Sequence, residues 1–267
     1  MADNEAKAGT TELTGKVALI TGATSGVGLV SALRLAERGA TVVVNGRSAE
    51  RGAEALRRLG EVTDRAEFVA GDCADYDSIA GVASRVVDEH GAIDLLISAG
   101  APGGQGPTPF AEMTGEQLSQ AFASRFFPRV FPVHAALPGL RVRGGAVVML
   151  TTDAARTATG GESIMGAAGA GVISMTKTLA KELARWKIRV NSVAMTITAG
   201  TPSWDRIFAT ESFQRRLFEK AVARFPWGAP PDAGDVADAV AFLASGAAGQ
   251  VTGQTLSVNG GLSFGGW

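Results

Sequence analysis

The chain has 267 residues and a mass of 27.3 kDa, which suits one large domain or two small ones. Because 46% of the residues are hydrophobic and the formal charge is −1, the composition excludes global disorder and gives no basic face for nucleic acid or an anionic membrane. Cys73 is the only cysteine, and His90 and His134 lie far apart, so we expect neither a disulfide nor a metal site. The amino terminus lacks a secretory signal and no apolar run would span a bilayer, which predicts a cytoplasmic protein.

Predicted strands and helices alternate along the chain. Residues 1–13 show no periodicity and are predicted to form a mobile extension, followed by one domain over 14–267. Short runs rich in β-branched residues predict strands at Lys16–Thr21, Thr41–Asn45, Glu67–Gly71, Ile93–Ser98, Ala146–Thr151, Ile188–Val193 and Thr255–Val258. Helices are predicted between them, and the longest, Gly115–Leu137, should be bent or interrupted by Pro128 and Pro132. The alternation predicts a single doubly wound, Rossmann-like α/β domain with a parallel sheet of about seven strands.

A glycine-rich turn, TGATSGVG, follows the first predicted strand and opens the first predicted helix. Gly22 permits a tight turn, Gly26 lets the backbone approach a pyrophosphate, and Gly28 lets the helix pack closely on the strand. The free N–H groups and the positive end of that helix attract an anion. We therefore predict a dinucleotide site, and the turn residues that line it are Gly22, Thr24, Ser25, Gly26, Val27 and Gly28.

The residues after the second predicted strand bear on the choice of dinucleotide. NAD enzymes usually place a carboxylate there to bind the ribose 2′-OH. Gly46 stands at that position and Arg47 follows, and an arginine offers a charge-assisted fork to a 2′-phosphate. The pattern therefore favours NADP(H) over NAD(H).

Several motifs together make the chain resemble the short-chain dehydrogenase/reductase family over residues 14–264. The phosphate turn matches the family's TGxxxGxG, the IRVN strand begins at Ile188, and TGQTLSVNGG begins at Thr252. The resemblance implies a small-molecule substrate, a lid over residues 196–225, and a homo-oligomer that is either a dimer or a tetramer. It also adds five residues after the third and fourth strands to the expected cofactor site: Asp72, Cys73, Ser98, Ala99 and Gly100.

The resemblance breaks at the family's catalytic residues, which are Ser, Tyr, Lys and a helix Asn. Counting back from IRVN places Met165 at the Tyr and Gly169 at the Lys, and Thr152 falls at the Ser. Arg125 falls at the Asn. Met carries no exchangeable proton and Gly carries no charge, so the usual proton relay cannot operate. The only tyrosine, Tyr76, is expected near the adenine end and does not substitute.

The enoyl reductase branch of the family offers a second comparison without gaps. Met165 and Gly166 match its Met-Gly pair, and its catalytic Tyr would fall on Glu162. Another Tyr of that branch would fall on Thr152, and its Lys again falls on Gly169. Its phosphate turn differs from TGATSGVG, so we do not expect the chain to belong to this branch.

Thr152, Arg125 and Glu162 remain as candidates for chemistry. We expect Thr152 to bind a substrate oxygen, and Arg125 or Glu162 to supply charge or a proton. The alternative is that Thr152 caps strand-end amides, Glu162 lies at a helix N-terminus and Arg125 forms an ion pair. Three functions stay open: an atypical NADP(H)-dependent oxidoreductase acting on a carbonyl, alcohol or enone; a non-redox lyase, isomerase or cyclase; and a catalytically silent NADP(H)-binding protein.

Overall fold

A parallel sheet organises the computed structural model, which describes residues 12–101, 103 and 106–264. The strands in these ranges are β1 (Val17–Thr21), β2 (Thr41–Gly46), β3 (Ala66–Ala70), β4 (Leu95–Ser98), β5 (Gly145–Thr152), β6 (Ile188–Met195) and β7 (Thr255–Val258). They pair in parallel in the order β3-β2-β1-β4-β5-β6-β7. The strand order reverses between β1 and β4, so the predicted doubly wound sheet is confirmed.

Helices cover both faces of this sheet. They are α1 (Gly26–Glu37), α2 (Ala49–Leu59), α3 (Tyr76–His90), α4 (Gly115–Arg143), α5 (Ser163–Leu183), α6 (Pro202–Phe208), α7 (Phe213–Val222) and α8 (Ala233–Ala244). Buried residues of α1, α2 and α8 form one apolar cluster with the sheet, and those of α3, α4 and α5 form the other. Every residue of β1 and β4 is buried, as is typical of strands covered on both faces.

Helix α4 runs unbroken for 29 residues through Pro128, Pro132 and Pro138, so an interruption at the prolines, one of the two predicted outcomes, does not occur. A proline lacks the N–H that would bond to the carbonyl four residues earlier, so Pro132 leaves the carbonyl of Pro128 without its helical donor. The Oγ of Ser98, at the end of β4, donates to the carbonyls of Pro128 at 3.4 Å and Arg129 at 2.9 Å. This outside donor compensates for one of the missing helical hydrogen bonds.

The predicted N-terminal extension, residues 1–13, overlaps the described residues at its end. Residues 1–11 of the expected extension lie outside the described residues. Leu13 is buried in the core and its N–H donates to the carbonyl of Arg38, so the prediction of a mobile segment up to residue 13 was wrong at this position. The predicted lid segment 196–225 contains α6 and α7. Within the described ranges, no helix is both long and apolar enough to cross a membrane.

Candidate cofactor cleft and active site

The backbone of the glycine turn after β1 lies so close to neighbouring backbone atoms that side chains would not fit. A Cβ on Gly22 would lie 2.5 Å from the Cα of Gly100, and Gly22 has a φ of +65°. A Cβ on Gly28 would lie 2.5 Å from the carbonyl oxygen of Gly22. Gly26 also has a positive φ, +55°. These glycines are therefore required by the backbone path, which brings the turn against the segment after β4.

The N-terminus of α1 is suited to an anion. Ser25 is its N-cap residue, but the Ser25 side chain makes no capping hydrogen bond. The first-turn N–H groups of a helix have no partner within the helix, and the helix dipole adds positive potential there. The turn residues Thr24, Gly26 and Val27 surround this end of the helix. The backbone therefore fits the pyrophosphate of a dinucleotide.

The ends of β2 and β3 bring together the residues expected at the adenosine half. Nη1 of Arg47 lies 3.8 Å from Oδ2 of Asp72, and both side chains are partly exposed. A Cβ on Gly46 would lie 2.6 Å from Cγ2 of Thr24, so the absence of a side chain at Gly46 lets the phosphate turn approach β2. Arg47 thus lies on the same rim as the turn, next to the position where NAD enzymes carry an acid.

The segment after β4 completes the cleft. Gly100 packs against both the phosphate turn and the Cys73 side chain, and its N–H donates to Oγ1 of Thr21 at 3.4 Å. Cys73 is buried, and burial raises the pKa of its thiol, which fits a lining residue rather than a nucleophile. Ala99 lies between Gly100 and Ser98, whose side chain bonds to α4 and so does not face the cleft.

Thr152 and Gly169 lie against each other at the end of β5. Oγ1 of Thr152 accepts from the N–H of Ala154 at 3.2 Å, which is the capping role given as the alternative to substrate binding. A Cβ on Gly169 would lie 2.7 Å from Cγ2 of Thr152 and 3.0 Å from Oγ1 of Thr151. The Thr152 methyl therefore occupies the space that a longer side chain at Gly169 would need. Met165 lies one turn earlier on α5 and is half-buried.

Glu162 is a buried carboxyl group, 8% exposed, directly before α5. It lines a pocket of about 600 Å³ together with Ala154 and Ser163. Burial raises the pKa of Glu162 to about 7, the Arg125 guanidinium opposes this rise, and the Asp153 carboxylate adds to it. A carboxyl group with this pKa exchanges protons near neutral pH, as a general acid or base must.

Arg125 lies on α4 and acts on Glu162 through its charge. Burial lowers the pKa of Arg125, the Glu162 carboxylate raises it, and the Arg206 guanidinium on α6 lowers it. The charge of Arg125 therefore influences Glu162, and Thr152 lies at the end of strand β5.

Asp153 connects this group to the C-terminal segment. It is 5% exposed, Nδ2 of Asn259 donates to its Oδ1 at 3.2 Å, and the Ser263 hydroxyl donates to its Oδ2. These hydrogen bonds hold the residue after Thr152 in place and leave the Asp153 charge close enough to raise the pKa of Glu162.

Arg129 is a residue of the cleft that the sequence interpretation missed. It lies one helical turn after Arg125, and its Nε donates to the carbonyl of Leu150 at 2.9 Å while its Nη1 donates to the carbonyl of Gly100. Burial lowers the pKa of Arg129 to about 10, with a further reduction from Arg125. The spacing of two arginines four residues apart on one predicted helix was a signal that could have pointed to it.

Two other clusters lie outside this cleft. Oη of Tyr76 lies 2.6 Å from Nδ1 of His134, which places the only tyrosine on the outer side of α3 and α4. Although no metal site was expected, the fold brings possible ligand atoms of Glu67, Glu89 and His90 within 4.8 Å of one another. Nε2 of His90 lies 3.1 Å from Oε1 of Glu67, an ion-pair geometry that accounts for this grouping.

The glycine turn, the N-terminus of α1 and Arg47 lie together at the switch point of a doubly wound parallel sheet. This is the place where α/β proteins of this class bind dinucleotides. The comparisons with known proteins agree. A family model described as Enoyl-(Acyl carrier protein) reductase matches residues 22–263. The 3-oxoacyl-(acyl-carrier-protein) reductase FabG of Thermotoga maritima is 33% identical over 254 residues, which cover 94% of this chain and 98% of that protein. The Vibrio harveyi reductase of the same name is 34% identical over 251 residues, with 94% and 98% covered.

Solved structures give the same result. A short chain dehydrogenase/reductase family protein superposes with a TM-score of 0.79 at 35% identity, covering 94% of this chain and 98% of that one. A crystal structure from Burkholderia xenovorans gives a TM-score of 0.86 at 29% identity, covering 94% and 97%. The chain belongs to the short-chain dehydrogenase/reductase family of oxidoreductases.

Proposed function

We propose that this protein is an NADP(H)-dependent oxidoreductase that reduces the carbonyl or enone of a small molecule, with Glu162 in place of the usual tyrosine. The observation that carries the proposal is the buried Glu162 carboxyl group, whose burial raises its pKa to about 7. When bound, the dinucleotide supplies a hydride. Glu162 gives the proton that balances this hydride, and Thr152 donates a hydrogen bond to the substrate oxygen. Arg125 limits the rise in the pKa of Glu162, which keeps proton exchange near neutral pH.

Two lines of support come from related proteins. The matched relatives from Thermotoga maritima and Vibrio harveyi are named reductases of 3-oxoacyl groups, which contain a ketone. The matched family model carries the name of an enoyl reductase, whose substrate contains a conjugated double bond. A carbonyl or conjugated enone on a small molecule is therefore the substrate class to test first.

A second candidate function is a non-redox isomerase or lyase on the same scaffold. Met165 and Gly169 favour it because neither side chain can supply the phenol or the ammonium of the family relay. Glu162 would then remove a proton from one atom of the substrate and return it to another.

The deciding experiment incubates the purified protein with NADPH and a panel of ketones and enones. It follows NADPH by its absorbance and the product by mass spectrometry. Product formed with matching loss of NADPH supports the reductase, and product formed without it supports the isomerase or lyase.

The cofactor preference can be tested at Arg47. Replacing Arg47 with alanine removes a guanidinium suited to the 2′-phosphate, so we expect the Kd for NADPH to rise about 10-fold. The Kd for NADH, which has no 2′-phosphate, should not change. Fluorescence titrations with both dinucleotides measure the effect, and Arg58→Ala on the exposed face of α2 is the matched control. An equal loss of affinity for both dinucleotides would show that Arg47 does not recognise the 2′-phosphate.

We also propose that the protein forms a homo-oligomer through α4. Phe122 and Phe127 of this helix are 37% and 39% exposed, which is unusual for two large apolar side chains on one helix. Their burial against a second copy would remove this apolar surface from water.

A further inference from the structure

Arg129 is a partly buried cation at the carboxyl ends of two neighbouring strands. Its side chain extends from α4 to the point where β4 and β5 end, and it bonds to the carbonyls of Gly100 and Leu150. Both acceptors are neutral. Among the residues that the structure describes, no carboxylate forms an ion pair with Arg129. The fold therefore holds a positive charge in place without neutralising it.

A purely structural role accounts for only some of the hydrogen-bond donors of this side chain. A guanidinium has five N–H donors, and the two hydrogen bonds of Arg129 use one donor on Nε and one on Nη1. Arg125 lies one turn away with the same charge, and its proximity disfavours the charged form of Arg129. Burying a cation is costly unless it is paired. A ligand that accepts hydrogen bonds from the remaining donors would offset this cost.

The position of Arg129 indicates which ligand this is. Gly100 contacts the phosphate turn on one side, through Gly22 and Thr21, and accepts the hydrogen bond of Arg129 on the other. A dinucleotide bound at the turn after β1 crosses the switch point and continues over the carboxyl ends of β4 and β5. The half that would pass over these two strands is the nicotinamide nucleotide, and the adenosine half would lie over β2 and β3, near Arg47.

Helix α5 does not supply a cation from the opposite side. Gly169 has no side chain, and the methyl group of Thr152 fills the adjacent space. We propose that Arg129 binds the ribose hydroxyls of the nicotinamide half of the dinucleotide, and that α4 thereby provides the cation at this part of the cleft. This inference rests on the proposed function, because it requires that NADP(H) binds.

The test separates the two halves of the cofactor. In Arg129→Gln, we expect the Kd for NADPH to rise about 10-fold, because a charge-assisted hydrogen bond is lost. Adenosine 2′,5′-bisphosphate contains only the adenosine half with its 2′-phosphate, so its Kd should stay unchanged. Arg129→Lys keeps the charge but not the planar fork, and it should recover part of the NADPH affinity. Fluorescence quenching and isothermal titration measure these constants without any turnover.

Arg189→Gln is the matched control, because Arg189 is also a partly buried arginine that donates to backbone carbonyls, here of Leu243 and Ser245. It lies at the start of β6, away from the cleft, so its loss should leave both ligands bound as in the wild type. Equal NADPH affinity in Arg129→Gln and wild type would overturn this inference but not the proposed function. An equal loss of affinity for NADPH and for the bisphosphate in Arg129→Gln would do the same. A wild-type protein that does not bind NADPH would overturn the proposed function as well.

Discussion

Replacing Glu162 with glutamine is expected to lower kcat for substrate reduction at least about 100-fold, because the variant keeps the shape of the side chain but cannot donate the proton. The NADPH affinity should remain that of the wild type, since Glu162 lies before α5 and outside the predicted cofactor residues. Steady-state kinetics on the substrate identified in the panel measure kcat, and a fluorescence titration measures the cofactor affinity.

The pH dependence should follow the protonation of Glu162. Reduction requires the neutral acid, so kcat in the wild type should be highest at low pH and fall as the pH rises through about 7. In Arg125→Gln, the guanidinium that favours the carboxylate is gone, so the fall should move to higher pH. The Glu162→Gln variant should lose this limb of the profile. An unchanged profile in both variants would exclude Glu162 as the proton donor.

Stability provides a check on Glu162 that does not depend on activity. The folded protein keeps the Glu162 proton up to about pH 7, whereas the unfolded chain releases it near the ordinary value of 4.5. The folded state therefore binds more protons between these values, and its stability relative to Glu162→Gln should be highest below pH 4.5 and fall as the pH rises through 7. Chemical denaturation of both proteins across this range measures the difference in free energy of unfolding.

Replacing Gly169 with lysine, the family residue at that position, is expected to destabilise the protein rather than restore a catalytic relay. The new Cβ would lie 2.7 Å from Cγ2 of Thr152 and 2.9 Å from Cβ of Ala155, and such overpacking costs about 1–3 kcal/mol. A buried ammonium adds a desolvation cost. Together these exceed the gain of about 1 kcal/mol in helix propensity over glycine. We expect a net loss of about 2 kcal/mol or more, measured by thermal and chemical denaturation.

Gly81 provides the matched control for this substitution. It lies on the exposed face of α3, and a Cβ there would meet nothing within 4 Å. Gly81→Lys should therefore gain stability of up to about 1 kcal/mol. In the double variant Thr152→Ser, Gly169→Lys, the γ-methyl group that causes the closest contact is removed, and we expect part of the lost stability to return. Equal stability of Gly169→Lys and wild type would show that the Thr152 methyl does not determine the residue at 169.

The sequence by itself determined the fold of this protein and predicted where its cofactor cleft lies. Strand and helix periodicity are local properties, and they predicted the α/β sheet with its seven parallel strands. The glycine turn is also local, since the positive φ of Gly22 and Gly26 excludes most other residues within a short stretch. The residues of the turn and Arg47 therefore lie where their motifs predicted, at the carboxyl ends of adjacent strands.

Tertiary structure alone decided the charges and contacts of the candidate active site. The pKa of Glu162 depends on burial and on Arg125 and Asp153, which come from separate elements. A hydroxyl donor from β4 compensates for a hydrogen bond that Pro132 removes from α4, and Arg129 reaches the ends of β4 and β5 because α4 packs against these strands. Local patterns specify which backbone a segment adopts. Burial and proximity between distant segments exist only once the sheet and helices have packed, and the chemistry of this site depends on both.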